Sequence, residues 1–317
     1  MIEILCQAAA YLLLIFLGAT LKKRGFFHES DFKILSKILL NITLPCAIIY
    51  NYAHITLEAS LLILTVFSLI CGFSMLFIGM MEARLFGRRE EMVFDAVNMS
   101  GFNIGNFCLP FAQSFLTPLS LLGIYLFDAG NAVIANGSSK AVGALIQNYL
   151  KNSDSSEGKN NVSIGSSVRT IVYTLSHSVP FVTYIIMSSI SLLRIPVPQI
   201  VVSFSSLGFQ ANPFVAMLMI GVGFKLKISR DSIPHVVRLL VIRYAVTLSL
   251  AVFAYFVLPF PLEIRQGLVL IFLSPIASAH PAYTADLGED YELASTVNSI
   301  SMLISIGLIT AALLFLL

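Results

Sequence analysis

Long apolar segments are the feature of this sequence that most restricts its fold. Ten segments have the roughly 20 mostly apolar residues that an α-helix needs to cross the hydrocarbon layer of a membrane. They are residues 4–21, 34–52, 61–81, 92–115, 119–147, 168–193, 200–224, 236–258, 267–285 and 294–317. Only 11% of the residues are charged and the mean hydropathy is +0.88, which excludes an ordinary soluble domain. The sequence therefore predicts an all-α polytopic membrane protein.

The net charge argues against a nucleic-acid-binding protein, and the cysteine pattern argues against a disulfide framework or a metal site. The net charge is only +2 and the basic residues lie in short connecting segments, so no nucleic-acid partner is expected. Cys6, Cys46, Cys71 and Cys108 lie in apolar runs without C-x-x-C spacing or a histidine cluster. They are predicted to be small core residues, with neither a disulfide framework nor a metal site.

A polar stretch divides the ten predicted spans into two sets of five. Residues 151–167 (KNSDSSEGKNNVSIGSS) are predicted to be a linker between a first half, 1–150, and a second half, 168–317. The first apolar run lacks a basic leader and is interpreted as a span rather than a signal peptide. Lysines and arginines concentrate in alternate loops, which predicts a cytoplasmic linker and both termini on the non-cytoplasmic side.

Five spans in each half imply an inverted repeat, because an odd number of crossings reverses the second half. Irregular features recur at a nearly constant offset: Pro45 and Pro213 are 168 positions apart, and Pro110 and Pro281 are 171 apart. Such repeats with interrupted helices in matching places are typical of secondary transporters that bind substrate near the membrane midplane.

The fourth and ninth spans are predicted to be broken helices. Residues 100–110 (SGFNIGNFCLP) hold two glycines, two asparagines and a proline inside an apolar segment, and residues 274–285 hold two prolines. His280 precedes Pro281, which disfavours helical geometry at His280. Freed backbone groups at this depth must face protein or a watery cavity. No lysine or arginine is expected there, so backbone dipoles and the amides of Asn103 and Asn106 would hold an anion.

These motifs carry a resemblance to a known family. The runs NITLPCAII, NIGNFCLP and SPIASAHPAYTADLGEDYELASTVNSISML, in this order on ten spans, resemble the auxin efflux carrier family, which includes bacterial malonate-type permeases and plant PIN auxin exporters. The resemblance implies two inverted five-helix repeats, a scaffold part and a transport part, and fourth and ninth helices that cross at their prolines. It also implies organic anion substrates moved by an elevator-like motion.

The resemblance also implies site residues. The family's crossover prolines correspond to Pro110 and Pro281, and its crossover asparagine to Asn106 or Asn103. The chain departs from many members at His280, where they have a small or amide residue. The predicted substrate-binding residues are Asn41, Asn103, Asn106, Pro110, Ser278, His280 and Pro281.

Alternative interpretations of these residues remain open at this point. Asn103 and Asn106 either contact the ligand or cap the broken helix ends. His280 either donates to a carbonyl or accepts a proton that is coupled to transport. Asp128 is either a coupling site for a proton or Na⁺ or a structural partner of the broken backbone, and it shares a helix face with Asn131.

The remaining polar positions are weaker signals. Asn298 and Ser301 are expected to face the same region from the tenth span as further coupling or supporting residues. The prolines at 45, 180 and 213 are interpreted as kinks, and the acidic residues at 286–292 as a solvated loop.

The preferred functional hypothesis is a secondary transporter (permease) for a small organic anion such as a carboxylate. A channel or a non-transporting sensor of the same fold is the alternative. An enzyme is not expected, because the sequence lacks paired catalytic groups or a metal-binding helix motif. The expected setting is a bacterial inner membrane, with a homodimer as one candidate assembly, no cofactor, and coupling to H⁺ or Na⁺ undetermined.

Overall fold

The computed structural model describes residues 2–28, 30–154, 164–225 and 229–317, and in these ranges the regular structure is helical, without a strand. The α-helices are α1 (Ile2–Lys23), α2 (Asp31–Ile38), α3 (Leu44–Ala53), α4 (Ile63–Leu85), α5 (Met92–Met99), α6 (Leu109–Phe115), α7 (Pro118–Val133), α8 (Ser139–Asp154), α9 (Ile164–Ser176), α10 (Val179–Leu192), α11 (Gln199–Gly223), α12 (Ile233–Phe256), α13 (Leu262–Phe272), α14 (His280–Asp286) and α15 (Tyr291–Leu316).

Short turns of other helix types connect some of these helices. Three of them are wide π-helical turns. Leu39–Thr43 joins α2 to α3, Ile104–Cys108 precedes α6, and Ile134–Ser138 joins α7 to α8. Short 3₁₀ turns over Ala59–Leu62, Arg89–Glu91 and Arg230–Ser232 precede α4, α5 and α12.

The length and composition of the helices make this an integral membrane protein. Seven helical segments of the described residues are long and apolar enough to cross a membrane, or eight if one bent pair is counted as a single span. The bent pair is α9 and α10, which meet at an angle of 74°. Large apolar side chains such as Leu13, Phe16 and Phe204 are mostly exposed, as expected for a surface that contacts lipid.

The fourth and ninth predicted spans are not continuous helices. In the fourth, α5 ends at Met99 and the π-helical turn begins at Ile104. In the ninth, α13 ends at Phe272 and α14 begins at His280. We call residues 100–103 the first break and residues 273–279 the second break. The prediction of two broken helices is confirmed.

The two predicted crossover prolines do not lie at the breaks, contrary to the sequence-based expectation. Pro110 and Pro281 each occupy the first turn of the helix that follows a break, α6 and α14. Proline is well tolerated there, because the amide that it lacks has no intrahelical partner at that position. His280 is the first residue of α14, so the expectation that it leaves helical geometry is wrong.

The helices pack in two sets that share a long seam. The α11 group consists of α11 itself, of α1, α2 and α3, which pack on α11, and of α10, which packs on α3; α1 and α11 approach each other closely at Gly18 and Gly221. The α7 group consists of α4, α5, α7, α8 and α12–α15, which pack on one another. At the seam, α3 and α10 contact α7, and α1 contacts α15.

The predicted linker is only partly covered by the description. Residues 155–163 lie outside the described residues, whereas α8 extends to Asp154 and α9 begins at Ile164. Among the cysteines, Cys46, Cys71 and Cys108 are buried as predicted, but Cys6 is exposed on α1 because this helix presents only one narrow face to its neighbours.

Candidate functional site

The two breaks are in direct contact. The backbone N–H of Asn103 in the first break donates to the carbonyl of Pro275 in the second, at 2.9 Å. Nearby, the side-chain amide of Asn106 donates to the hydroxyl of Ser278 at 2.8 Å. Residues 172 positions apart in the sequence therefore form one structure, which we call the junction.

Side chains from two other helices form hydrogen bonds with the backbone of the first break. Asn131 of α7 accepts from the N–H of Phe102 and donates to its carbonyl, both at 2.9 Å. Arg243 of α12 donates to the carbonyls of Met99 and Gly101, the latter at 2.9 Å. Backbone groups that a broken helix frees inside a membrane must be satisfied within the protein, and these contacts satisfy them.

Side chains of α15 form hydrogen bonds with the backbone of the second break in the same way. The side-chain amide of Asn298 donates to the carbonyls of Ile276 and Ala277, at 3.2 and 3.1 Å. The hydroxyl of Ser301 accepts from the N–H of Ile276 at 3.2 Å. The expectation that Asn298 and Ser301 face the broken backbone from the tenth span therefore agrees with these contacts.

The polar atoms that stay without a partner at the junction are mostly nitrogen atoms. In the described part of the chain, the side-chain N–H₂ of Asn103, both ring nitrogens of His280 and Nε of Arg243 are buried without a hydrogen bond, as is the side-chain oxygen of Asn106. Leaving a buried polar group unpaired costs about 1–3 kcal/mol. The N–H₂ of Asn103 and the Nε–H of Arg243 are therefore unused donors beside covered carbonyls, which is the polarity that an anion requires.

Arg243 overturns the expectation that no lysine or arginine lies deep in the membrane. It belongs to the eighth predicted span, 0% of it is exposed, and no carboxylate of the described residues pairs with it. Its guanidinium also lies over the ring of Phe102, 5.4 Å from the ring centroid. The sequence did contain the signal, a single charged residue within the apolar run LLVIRYAVTL, which by itself marks a functional candidate.

His280 is fully buried behind the first break. Its ring lies against Gly101: a Cβ atom added to Gly101 would come within 2.9 Å of Cε1 of His280. Gly101 also has a φ of +63°, which side chains other than glycine rarely adopt. Of the two interpretations of His280, the one in which its ring donates to a carbonyl is not supported, because neither ring nitrogen has a hydrogen-bond partner among the described residues.

A cavity of about 400 Å³ opens on one side of the junction, and we call it the asparagine cavity. Predicted site residues line it from four of the predicted spans: Asn41, Asn103, Asn106, Asp128, Asn131 and Ser278. Lys37 and His177 also contribute to its lining. The structure thus brings together most of the residues that the sequence singled out, and the volume suits a small organic molecule.

A second cavity of about 430 Å³ also reaches the junction, and we call it the lysine cavity. It shares Phe32, Asn103 and Ser278 with the asparagine cavity. Its further lining includes Pro281 and Asn298 together with the lysines at 22, 33 and 225. The sequence placed these lysines in connecting loops, and only the tertiary structure brings them to one cavity.

Asp128 is buried and hydrogen-bonded, rather than solvated near an interface. The hydroxyl of Tyr184 on α10 donates to Oδ2 of Asp128 at 2.7 Å, and Asn131 donates to Oδ1 at 3.1 Å. The shared helix face of Asp128 and Asn131 is confirmed by this contact. Tyr184, which the sequence did not single out, belongs to the α11 group, so its bond to Asp128 crosses the seam.

The remaining candidates lie at the edge of the site or outside it. Pro110 lines neither cavity within the described residues, and its carbonyl accepts from Tyr11 at 3.1 Å. Asn41 is exposed at the asparagine cavity and donates to the carbonyl of Lys37. Pro213 lies within α11, and neighbouring Asn212 bonds Thr43 and Gln113, which agrees with a packing role.

An ionic cluster joins α4, α5 and α12 away from the junction. Arg238 contacts the carboxylates of Glu82, Glu91 and Asp95, and Nε2 of His235 lies 2.5 Å from Asp95. The atoms of Glu91, Asp95 and His235 are also close enough to one another to hold a metal ion. Because Arg238 already supplies a cation to all three carboxylates, we interpret the cluster as a structural clamp.

Comparison of the chain with models of protein families and with curated proteins finds no match. The functional argument therefore depends on the geometry of the junction and its two cavities.

Proposed function

We propose that this protein is a secondary membrane transporter (permease) for a small organic anion such as a carboxylate, with its substrate site at the junction. The proposal includes ten membrane crossings, in which 92–115 and 262–286 each form one broken span. It also includes the auxin efflux carrier type of fold, with two inverted repeats, a cytoplasmic connection between them and both termini on the opposite side.

One observation carries the proposal: two broken helices meet where side chains cover backbone carbonyls and where buried side-chain donors have no hydrogen-bond partner. Arg243 covers the carbonyls of Met99 and Gly101, and Asn298 covers those of Ile276 and Ala277. These carbonyls would repel an anion if they were left bare. Arg243 is buried without a carboxylate partner among the described residues, so it adds positive charge. The free-energy cost of burying this charge falls when an anion binds nearby.

The cavities support access to the junction. Asn103 and Ser278 lie where the asparagine cavity and the lysine cavity approach each other, so a ligand in either cavity reaches the broken backbone. Binding between broken helices is the arrangement typical of secondary transporters, in which the irregular backbone lines a cavity.

The seam between the two helix groups supports a carrier rather than a fixed pore. The α7 group contains both breaks, whereas the α11 group supplies one wall of each cavity, including Phe32. Sliding of the α7 group along the α11 group would carry the junction across the membrane. This is the elevator-type alternating access that the proposal adopts.

The deciding experiment is reconstitution of the purified protein into proteoliposomes. Uptake and counterflow of radiolabelled mono-, di- and aromatic carboxylates are measured against protein-free vesicles. A carrier gives saturable uptake and counterflow, a channel gives flux without counterflow, and a sensor gives binding without flux. Absence of both flux and counterflow over the whole panel would contradict the proposal.

Substitutions at the junction test the position of the site. Asn106→Ala removes the bond to Ser278 and should abolish transport, and Pro281→Ala should do the same, while both proteins still elute as folded species in gel filtration. Asn51→Ala is the matched control, because Asn51 is a buried amide that donates to Pro118 away from the junction. Transport that survives both junction substitutions would place the site elsewhere.

A further inference from the structure

The lysine cavity has a charge unlike that of its neighbour. Lys22, Lys33 and Lys225 line it, and its described lining contains no carboxylate. The asparagine cavity instead pairs one lysine, Lys37, with one carboxylate, Asp128. Two cavities of similar volume that meet at the same junction therefore differ by about three positive charges.

The three lysines reach this cavity from separate elements. Lys22 lies in the last turn of α1 and donates to the carbonyl of Phe224 at 3.4 Å, Lys33 lies in α2, and Lys225 follows α11. Nζ of Lys225 lies 5.4 Å from the ring centroid of Tyr291. Like charges gathered on a concave wall raise the local concentration of anions.

Helix α15 offers hydroxyl groups to the same cavity. Tyr291, Ser295 and Ser299 line it, whereas the amide of Asn298, which also lines it, already donates to two carbonyls of the second break. The three hydroxyl groups and the three ammonium groups are hydrogen-bond donors around one cavity. A phosphate group has three or more strong acceptor oxygens and about two negative charges at neutral pH, which suits several donors at once.

We propose that the lysine cavity is a second anion site, beside the junction, that binds a multiply charged oxyanion of the phosphate or phosphate monoester class. The lysines belong to the α11 group and the hydroxyl groups to α15 of the α7 group. An oxyanion bound between them bridges the seam and holds the two helix groups in the arrangement seen here.

The first test is binding of inorganic phosphate to the purified full-length protein. Phosphate should raise the thermal unfolding temperature in a saturable way, and sodium chloride at equal ionic strength should not. Isothermal titration then gives the affinity. An equal rise with sodium chloride would overturn the proposal, because it would show general salt screening.

Substitution of the lysines tests the site itself. Each of Lys22→Gln, Lys33→Gln and Lys225→Gln should weaken phosphate binding by about tenfold or more, the scale of one charge-assisted hydrogen bond. The corresponding Lys→Arg variants should retain most of the affinity and show that the Gln variants fail through lost charge. Lys23→Gln with Arg24→Gln is the matched control, because both residues are exposed beside Lys22 and outside the cavity lining.

Two further arms separate the sources and the sites. Binding of free phosphate is measured in nanodiscs that contain phosphatidic acid and in nanodiscs of phosphatidylcholine alone, which shows whether a lipid phosphate competes with free phosphate. Competition that requires the three lysines supports the site and identifies a lipid headgroup as its occupant. Asn106→Ala should keep phosphate binding. If Asn106→Ala abolishes it, or if the lysine variants bind as well as the unaltered protein, the second site is refuted. Lysine-dependent binding without any carboxylate transport would instead refute the proposed function alone.

Discussion

Asn131 of α7 forms both hydrogen bonds that the backbone of Phe102 would make in a continuous helix. Its amide oxygen accepts from the N–H of Phe102 and its amide nitrogen donates to the carbonyl, both at 2.9 Å. One side chain thus replaces a pair of backbone partners inside the first break. The break is therefore a supported conformation and not a local weakness.

We expect Asn131→Leu to lower the stability of the fold and to abolish transport. The substitution leaves the buried N–H of Phe102 unpaired, at about 1–3 kcal/mol, whereas the carbonyl of Phe102 still accepts from the N–H of Ile104 at 3.0 Å. Thermal unfolding in detergent measures the loss. Asn136→Leu is the control: Asn136 also lines the asparagine cavity, is half-buried, and should change the unfolding temperature little. Equal effects of the two substitutions would contradict a special role for Asn131.

Gly101→Ala should be more damaging than alanine at another glycine with positive φ. A left-handed conformation costs an alanine about 1–2 kcal/mol at either position. At Gly101 the new Cβ also meets the ring of His280 at 2.9 Å, whereas at Gly87, with a φ of +70°, nothing lies within 4 Å. Gly87→Ala therefore measures the cost of the left-handed backbone conformation alone. His280→Ala should partly rescue Gly101→Ala, and a failure to rescue would show that the ring contact is unimportant.

Arg243→Met should reduce anion binding and expose the carbonyls of Met99 and Gly101. Arg243→Lys keeps the charge but cannot donate to both carbonyls in the fixed fork of a guanidinium, so it should retain only part of the transport rate. Carboxylate affinity and maximal rate are measured separately in proteoliposomes. If both variants keep the affinity of the unaltered protein, Arg243 is a structural cap without influence on the anion.

Removal of Arg238 should destabilise the protein far more than removal of neighbouring Arg88. Arg238→Gln leaves the buried carboxylate of Glu82 without its cation, which typically costs about 3–5 kcal/mol. Arg88 forms an exposed pair with Glu91, worth about 1 kcal/mol or less. Thermal unfolding of the two variants at pH 7 tests this. Similar unfolding temperatures would show that the cluster is not a clamp.

The same cluster predicts a loss of stability in acid. Burial by itself would raise the pKa of Glu91, but its contacts with Arg238, His235 and Arg88 outweigh burial and hold its pKa below the usual value of 4.5. Its ionised form therefore stabilises the fold at neutral pH, and this contribution is lost as the pH falls below about 4.5. In Glu91→Gln, unfolding measured between pH 6 and pH 3 should depend less on pH.

The sequence alone was sufficient to predict several features that depend on local chemistry. Long apolar segments identified a helical membrane protein, and the glycines and asparagines of residues 100–106 identified a broken helix. Asp128 and Asn131 were predicted to share a face from their spacing alone, and their side chains do bond. These predictions succeed because helix periodicity and backbone preferences act over a few residues.

The positions of the breaks and of the deep charge were decided by tertiary structure. The prolines at 110 and 281 suggested where the chain bends, yet each lies in the first turn of a helix, and Gly101 together with the contacts of Asn131 sets the first break. Arg243 lies deep in the membrane because carbonyls from a distant break satisfy it, and the three lysines of the lysine cavity meet only when α1, α2 and α11 pack together. Local sequence determines where a helix is easily interrupted. Hydrogen-bond partners from distant segments determine which of these positions is interrupted and which charged side chains lie there.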